Sequence, residues 1–151
     1  MRIWVDADAC PAVVREILFR ASARLRCTMT LVANRTLRTP DSCDWITSVR
    51  VADGFNVADR YIVDSLEAGD LVITADIPLA AEVVDAGAYA LNPRGELYTH
   101  DNVRQALAAR DLLVTLQGDG LVTGGPAPLN HADRQRFANA LDRFLSQHAR
   151  Q

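Results

Sequence analysis

Short, continuous apolar runs alternate with segments of helical periodicity along this chain, and an aspartate closes three of the runs. Asp6 and Asp8 follow Arg2-Ile3-Trp4-Val5, Asp53 follows Val49-Arg50-Val51-Ala52, and Asp76 follows Leu71-Val72-Ile73-Thr74-Ala75. Unbroken apolar runs suit strands covered on both faces. Their alternation with helices argues for a parallel sheet in an α/β domain. In such a sheet the downstream strand ends share one edge, and ligands bind there. Carboxylates gathered on that edge repel, at about 4 kcal/mol per close pair for an effective dielectric near 20. Protons, hydrogen-bond donors or a cation must offset that cost, and a hard divalent ion is the simplest answer.

The expected strands are 3–5, 28–33, 48–52, 71–75 and 88–91, giving a mostly parallel sheet of about five strands flanked by helices. Val14, Ile17, Leu18, Ala21 and Leu25 recur at helical spacing, with Asp8 as the expected N-cap and Pro11 in the first turn. Phe55, Asp59, Ile62 and Leu66 share one face of a second helix, ended by Gly69. A third helix runs from Asp76-Ile77-Pro78 to Ala86, and a fourth over 101–113. Asn130 and Asp133 resemble a capping box at the start of a final helix, whose stripe Phe137, Leu141, Phe144 and Leu145 packs back on the sheet. The chain thus reads as one domain: an α/β core over 1–113, a Gly/Pro-rich loop over 114–130 and a C-terminal helix over 131–148.

At 151 residues, one domain buries about 70% of its unfolded surface. No apolar run approaches the roughly 18 residues of a membrane span, and the N-terminus enters a strand without an export leader. Cys10, Cys27 and Cys43 are odd in number and form no Cys-x-x-Cys pair, which fits a reducing cytoplasm. All 16 basic residues are arginine. The lack of lysine removes a Gly-Lys-Ser/Thr phosphate loop and Schiff-base chemistry. A net charge of −3 counts against a tight nucleic-acid clamp. It permits an enzyme that holds phosphate through metal and a few arginines.

Each carboxylate has an ordinary reading beside the functional one. Asp6 could be a satisfied loop-start residue, Asp8 and Asp76 helix caps, and Asp53 a turn former before Gly54. Asp59 is the most diagnostic, because it lies on the apolar face of its helix. A first-turn carboxylate gains only about 0.3–1 kcal/mol from the helix dipole. Three to five such acids suit one or two Mg²⁺ or Mn²⁺ ions, which lower the pKa of bound water and stabilise charge on the reacting oxygens. His100, His131 and His148 lack zinc-like spacing, and Cys10 has no placed base, so packing is its ordinary role.

Val5-Asp6-Ala7-Asp8-Ala9-Cys10-Pro11, Val51-Ala52-Asp53-Gly54, Ala58-Asp59-Arg60-Tyr61-Ile62 and the stretch from Gly69 to Ala80 resemble the YaiI/YqxD group of bacterial proteins. So do Leu91-Asn92-Pro93-Arg94-Gly95 and Thr123-Gly124-Gly125-Pro126, and the likeness covers nearly the whole chain. The resemblance implies a fold similar to PIN-like nucleases, a parallel α/β domain with clustered acids and divalent metal. In that pattern Asp6 follows the first strand, Asp59 and Ile62 open a mid-domain helix, and Thr74 and Asp76 end a later strand. The helical glutamate usual in active PIN nucleases is missing, since Glu16 falls too early, and Asp8 or Asp53 is the candidate substitute.

The resulting expectation is a metal-dependent nuclease acting on RNA or a related nucleic acid, with no membrane partner. Asp6, Asp59 and Asp76 are the expected catalytic residues. Asp6, Asp8, Asp53, Asp59 and Asp76 are the expected Mg²⁺ or Mn²⁺ ligands. Arg35, Arg38, Thr74 and Arg94 are the expected substrate contacts. A non-catalytic metal- or RNA-binding module is the main alternative. A haloacid-dehalogenase-like phosphatase with Asp6 as nucleophile is weaker, because lysine is absent and Gly69-Asp70 precedes its strand.

Overall fold

In the computed structural model, residues 1–54, 56–118 and 128–148 are described. Phe55, Thr123-Gly124-Gly125-Pro126 and most of the expected Gly/Pro-rich loop lie outside them. The elements run β1 (Ile3–Asp6), α1 (Ala12–Leu25), β2 (Met29–Ala33), β3 (Ile46–Arg50), α2 (Val57–Ser65), β4 (Leu71–Ile73), α3 (Ile77–Asp85), β5 (Tyr89–Leu91), β6 (Leu97–Tyr98), α4 (His100–Gly118) and α5 (His131–His148). A single 3₁₀ turn, Ala7–Ala9, links β1 to α1.

The sheet order is β3-β2-β1-β4-β5-β6. Its first five strands are parallel, and β6 returns antiparallel to β5. The chain therefore leaves β1 toward one side, through β2 and β3, and comes back to build β4 and β5 on the other. The reversal places a topological switch point between β1 and β4, where an open α/β sheet presents a crevice at its downstream edge.

Alternation along the strands divides the core into two layers. Ile3, Val5, Leu31, Leu71 and Ile73 face α1 and α5, meeting Val14, Leu18, Phe137, Leu141 and Leu145. Trp4, Val32, Val72 and Ala90 face the other way, onto Ile62 of α2, Leu79 and Val83 of α3 and Val103 of α4. Asp6 takes the same parity as Trp4, so its side chain belongs to the α2/α3 layer.

At the upstream end of the same seam, Asp70 is almost fully buried and nonetheless satisfied. Its carboxylate accepts from the Arg2 and Glu67 backbone N–H groups and from Trp4 Nε1–H, at 3.0, 2.9 and 3.0 Å. Hydrogen bonds to a charged acceptor are the strong kind, and the two from Arg2 and Trp4 tie β1 to the residue that precedes β4.

Several local expectations change. Asp8 does not cap α1: Pro11 is the N-cap, with no side-chain cap bond, because Ala7–Ala9 close a tight turn first. Asp8 Oδ2 instead accepts from Asn34 N at 2.8 Å, fastening the loop after β2. The helix α2 stops at Ser65, ahead of Gly69, whose φ of 91° shapes the turn into β4. The sixth strand was not expected; two residues carry too short a pattern to read. The fourth helix runs five residues beyond 113, into part of the expected loop. The capping box at α5 is reciprocal, with Asp133 N on Asn130 Oδ1 at 2.8 Å and Asn130 N on Asp133 Oδ2 at 3.1 Å.

The turn Asn92–Gly95 docks directly on α5. Gly95 has φ of 89°, and a Cβ there would stand 2.7 Å from the Arg136 carbonyl carbon and oxygen. Both the left-handed backbone and the backbone clash oppose a side chain. We predict that Gly95→Ala lowers unfolding free energy by about 3 kcal/mol or more, measured by urea denaturation. A loss under about 1 kcal/mol would mean that the turn and α5 do not meet this closely.

Candidate functional site: a carboxylate cluster at the sheet switch point

The site begins where β1 and β4 end side by side. Asp6 is the last residue of β1 and is 5% exposed. Thr74, just past β4, is fully buried and donates its hydroxyl to Asp6 Oδ2 at 2.9 Å. The same Oγ1 accepts from the Asp76 backbone N–H at 3.0 Å. One threonine thereby fixes the positions of two acids on neighbouring strands. Asp76 also caps α3, its Oδ1 accepting from Leu79 N at 3.2 Å. It therefore caps α3 as its position implies, and its second oxygen lies outside that bond.

Asp59 arrives from the first turn of α2. Like charge reaches it from Asp76, Asp6 and Glu82. Burial, then the charges of Asp76 and Asp6, push the Asp59 carboxyl up to about 7. Asp6 is raised as well, first by burial; the Thr74 hydroxyl pulls it back, and Asp76 and Asp8 add like-charge repulsion. Three of the five expected ligands are thus brought together, with Asp8 close enough for its charge to be felt.

Asp53 is not brought in. It lies exposed on the bend after β3, and among the described residues it makes no hydrogen bond or ion pair. β3 is two strands from β1, about 10 Å at ordinary strand spacing.

The expected substrate contacts separate in the same way. Arg35 and Arg38 are exposed on the loop after β2, and neither forms an ion pair with a described residue. Thr74 is fully buried, and its hydroxyl is engaged by Asp6 and the Asp76 backbone. Arg94 Nη1 is bound to Asp133 at 2.8 Å, on which Arg136 also closes. That pair latches the turn after β5 to α5. The Asn130 backbone N–H and these two arginines keep the Asp133 carboxyl below its ordinary range.

One neighbour was missed. Glu82 of α3 lines a cleft of about 80 Å³ with Asn56, Asp59, Arg60, Pro78 and Leu79, and its charge reaches Asp59. The signal was available: Glu82 follows Pro78 by four residues, one helical turn from the helix start. The histidines lie elsewhere, as their spacing implied; His148 stacks on Phe144, and His100 stands beside Asp85. Cys10 is buried, and burial pushes its thiol up to about 12, which leaves no thiolate for chemistry at neutral pH.

Donor chemistry decides what the cluster suits. Its groups are all oxygens, the set that hard divalent cations take. Hydrogen bonds use Oδ2 of Asp6 and Oδ1 of Asp76, and leave the other oxygen of each outside these bonds. Among the described residues, no three His, Cys, Asp or Glu side chains already form a metal-holding group. The arrangement therefore fits a largely hydrated ion on one or two carboxylates, the habit of Mg²⁺, and does not fit a closed protein cage.

The proton on this cluster gives a pH-dependent prediction. Asp59 titrates near 3.8 when unperturbed and near 7 when folded. Between those values the native state holds more protons, so metal-free stability falls as pH rises and the penalty is complete above 7. After allowance for solvent screening at this half-exposed group, the penalty is about 1–2 kcal/mol. Asp59→Asn should raise the melting temperature in EDTA by roughly 3–6 °C at pH 8 and leave it nearly unchanged at pH 4. An equal gain at both pH values would remove the repulsion argument.

The comparisons with known proteins match the whole domain. The family model described as "Uncharacterized BCR, YaiI/YqxD family" matches residues 4–147. The chain is 61% identical over 146 residues to a UPF0178 protein of Hahella chejuensis, covering 97% of each chain. It is 60% identical to one of Syntrophotalea carbinolica, over 98% of this chain and 99% of that one. A UPF0178 protein of Shewanella amazonensis is 60% identical, over 97% of each. No solved structure matches. With the family model spanning nearly every residue and full-length relatives at this identity, the chain belongs to the YaiI/YqxD family.

Proposed function

We propose that the protein is a PIN-like, divalent-metal-dependent phosphodiesterase acting on RNA or a related nucleic acid. The supporting observation is the meeting of Asp6, Asp59 and Asp76 at the switch point, with Thr74 orienting two of them. Mg²⁺ or Mn²⁺, when bound, would supply charge neutralisation and an acidified water. Asp6 and Asp76 would hold it through the oxygens that Thr74 and Leu79 leave free. Asp59, already close to neutrality of charge, would give up its proton as the cation arrives and then accept a hydrogen bond from the attacking water. Asp8 and Glu82 stand at the margin as second-rank ligands, Glu82 taking the part expected of a helical glutamate.

The phosphatase reading loses support from Asp70. That acid lies at the far end of β4 from Asp76 and is fully engaged by three N–H donors. It cannot join Asp6 at the downstream edge.

The test combines binding and turnover on the full chain. Mn²⁺ should raise the melting temperature of the wild type, and this rise should vanish in Asp6→Asn. Cleavage of a labelled RNA in Mn²⁺ should fall about 100-fold or more in Asp6→Asn. Thr74→Val, which keeps the shape and removes the orienting hydroxyl, should cost about 10–100-fold in metal affinity or rate. Metal binding without cleavage of any nucleic acid would select the non-catalytic module. A wild-type melting temperature that Mn²⁺ does not move would sink both.

A further inference from the structure

Among the described residues, a cavity larger than the cleft beside Asp59 lies away from the carboxylates. A groove of about 490 Å³ lies on the other helical layer, between α1 and α5. Its charged lining is Glu16, Arg20 and Arg24 from α1, with His131, Arg134 and Asp142 from α5. The two helices run in the same direction. Arg24, near the end of α1, meets Asp142 at 2.7 Å, and α5 starts beside Asp133, which is tied to Arg94 at the downstream sheet edge.

The charges in this groove do not cancel. Asp142 neutralises Arg24, and Glu16 sits one turn before Arg20, so it can offset at most one of the remaining cations. Neither Arg20 nor Arg134 forms an ion pair with a described residue. Arg134 carries a second, separate signal: its Nε is buried and has no hydrogen-bond partner, alone in this respect among the described residues. A buried donor left without a partner is destabilising, and more so in a charged group. A turn of the guanidinium about its stem, edge-on to an oxyanion in the groove, gives Nε–H and one Nη–H parallel acceptors, the fork geometry that arginine offers phosphate. The helix terminus plays no part in this, because Asn130 and Asp133 already cap α5.

We propose that the α1/α5 groove is a phosphate-binding site, with Arg134 as its anchor and Arg20 as the second cation. It requires neither metal nor the carboxylate cluster. The phosphate belongs either to a nucleic-acid backbone or to a small phosphorylated molecule, and the chemistry of capture is the same.

The experiment uses the full chain in EDTA, which separates this site from any metal at the sheet edge. Pyrophosphate at about 10 mM should raise the wild-type melting temperature by about 2 °C or more over chloride of equal ionic strength. Arg134→Met keeps the aliphatic stem and should lose that gain; Arg20→Gln should halve it; Asp59→Asn should keep it whole. Anisotropy of a labelled single-stranded RNA, also in EDTA, assigns the source. A weakening of about fivefold or more in Arg134→Met points to polymer backbone, and unchanged RNA binding beside a lost pyrophosphate shift points to a small ligand. No wild-type shift over chloride, or an equal shift in Arg134→Met, overturns the proposal. Because Asp59→Asn keeps this site and disables the other, the two readings fail separately.

Discussion

The Thr74 hydroxyl between Asp6 and the Asp76 backbone organises the carboxylate-bearing edge of the sheet. It is a single bridging group at the β1/β4 seam, where the sheet of the described residues reverses its direction of growth. Donating to one acid and accepting from the amide of another, it makes the spacing of two carboxylates a property of the β1/β4 seam. A sheet is stiff across paired strands, so acids placed by that seam are held before any ligand arrives. Preorganisation of this kind matters most where charge must be met by charge in fixed geometry.

The two ends of the seam treat the same residue type in opposite ways. Asp70 receives three N–H donors at its carboxylate and no acidic neighbour within the cluster. Asp6 receives one hydroxyl and the charges of Asp76 and Asp8. Burial is similar, at 4% and 5% exposed, so desolvation alone does not separate their roles. What separates them is whether backbone and indole donors answer the negative charge. At Asp70 they do, and the acid holds strands together. At Asp6 the answer is incomplete, and burial together with the charges of Asp76 and Asp8 raises its pKa.

Much of this was legible in the residues. The apolar runs at Ile3–Val5 and Leu71–Ile73 and the helical stripe Phe137–Leu145 fixed the layers, because burial on both faces leaves a period that survives any local detail. Asp59 stood out for the same reason, as a carboxylate on an apolar stripe. What sequence could not carry was competition for an acid between local and distant partners. Asp8 has the position of a cap, yet the 3₁₀ turn aims it at Asn34 across 26 positions. Arg94 has the position of a substrate contact, yet Asp133 from a distant helix claims it. Asp53 closes an apolar run like the others, but its strand lies at the sheet margin, a fact of strand order that no spacing encodes. Thr74 stands at the expected strand end, and its depth and its bonds to Asp6 and Asp76 appear only when β1 and β4 pair.

The all-arginine composition takes on meaning once these partners are known. Arg24 and Arg94 are held by Asp142 and Asp133, so their charge is spent on joining α5 to the rest of the fold. No described arginine forms an ion pair with Asp6, Asp59 or Asp76. A protein wanting only stability could have answered those acids with one guanidinium, and 16 were available. Leaving the cluster without one preserves room for an exchangeable cation, and it also means that a polyanionic substrate would meet repulsion at the site itself. Attraction must then come from elsewhere on the surface. A net charge of −3 supplies none at long range, so local cations, such as those exposed after β2 and those between α1 and α5, are where a phosphate would first be held.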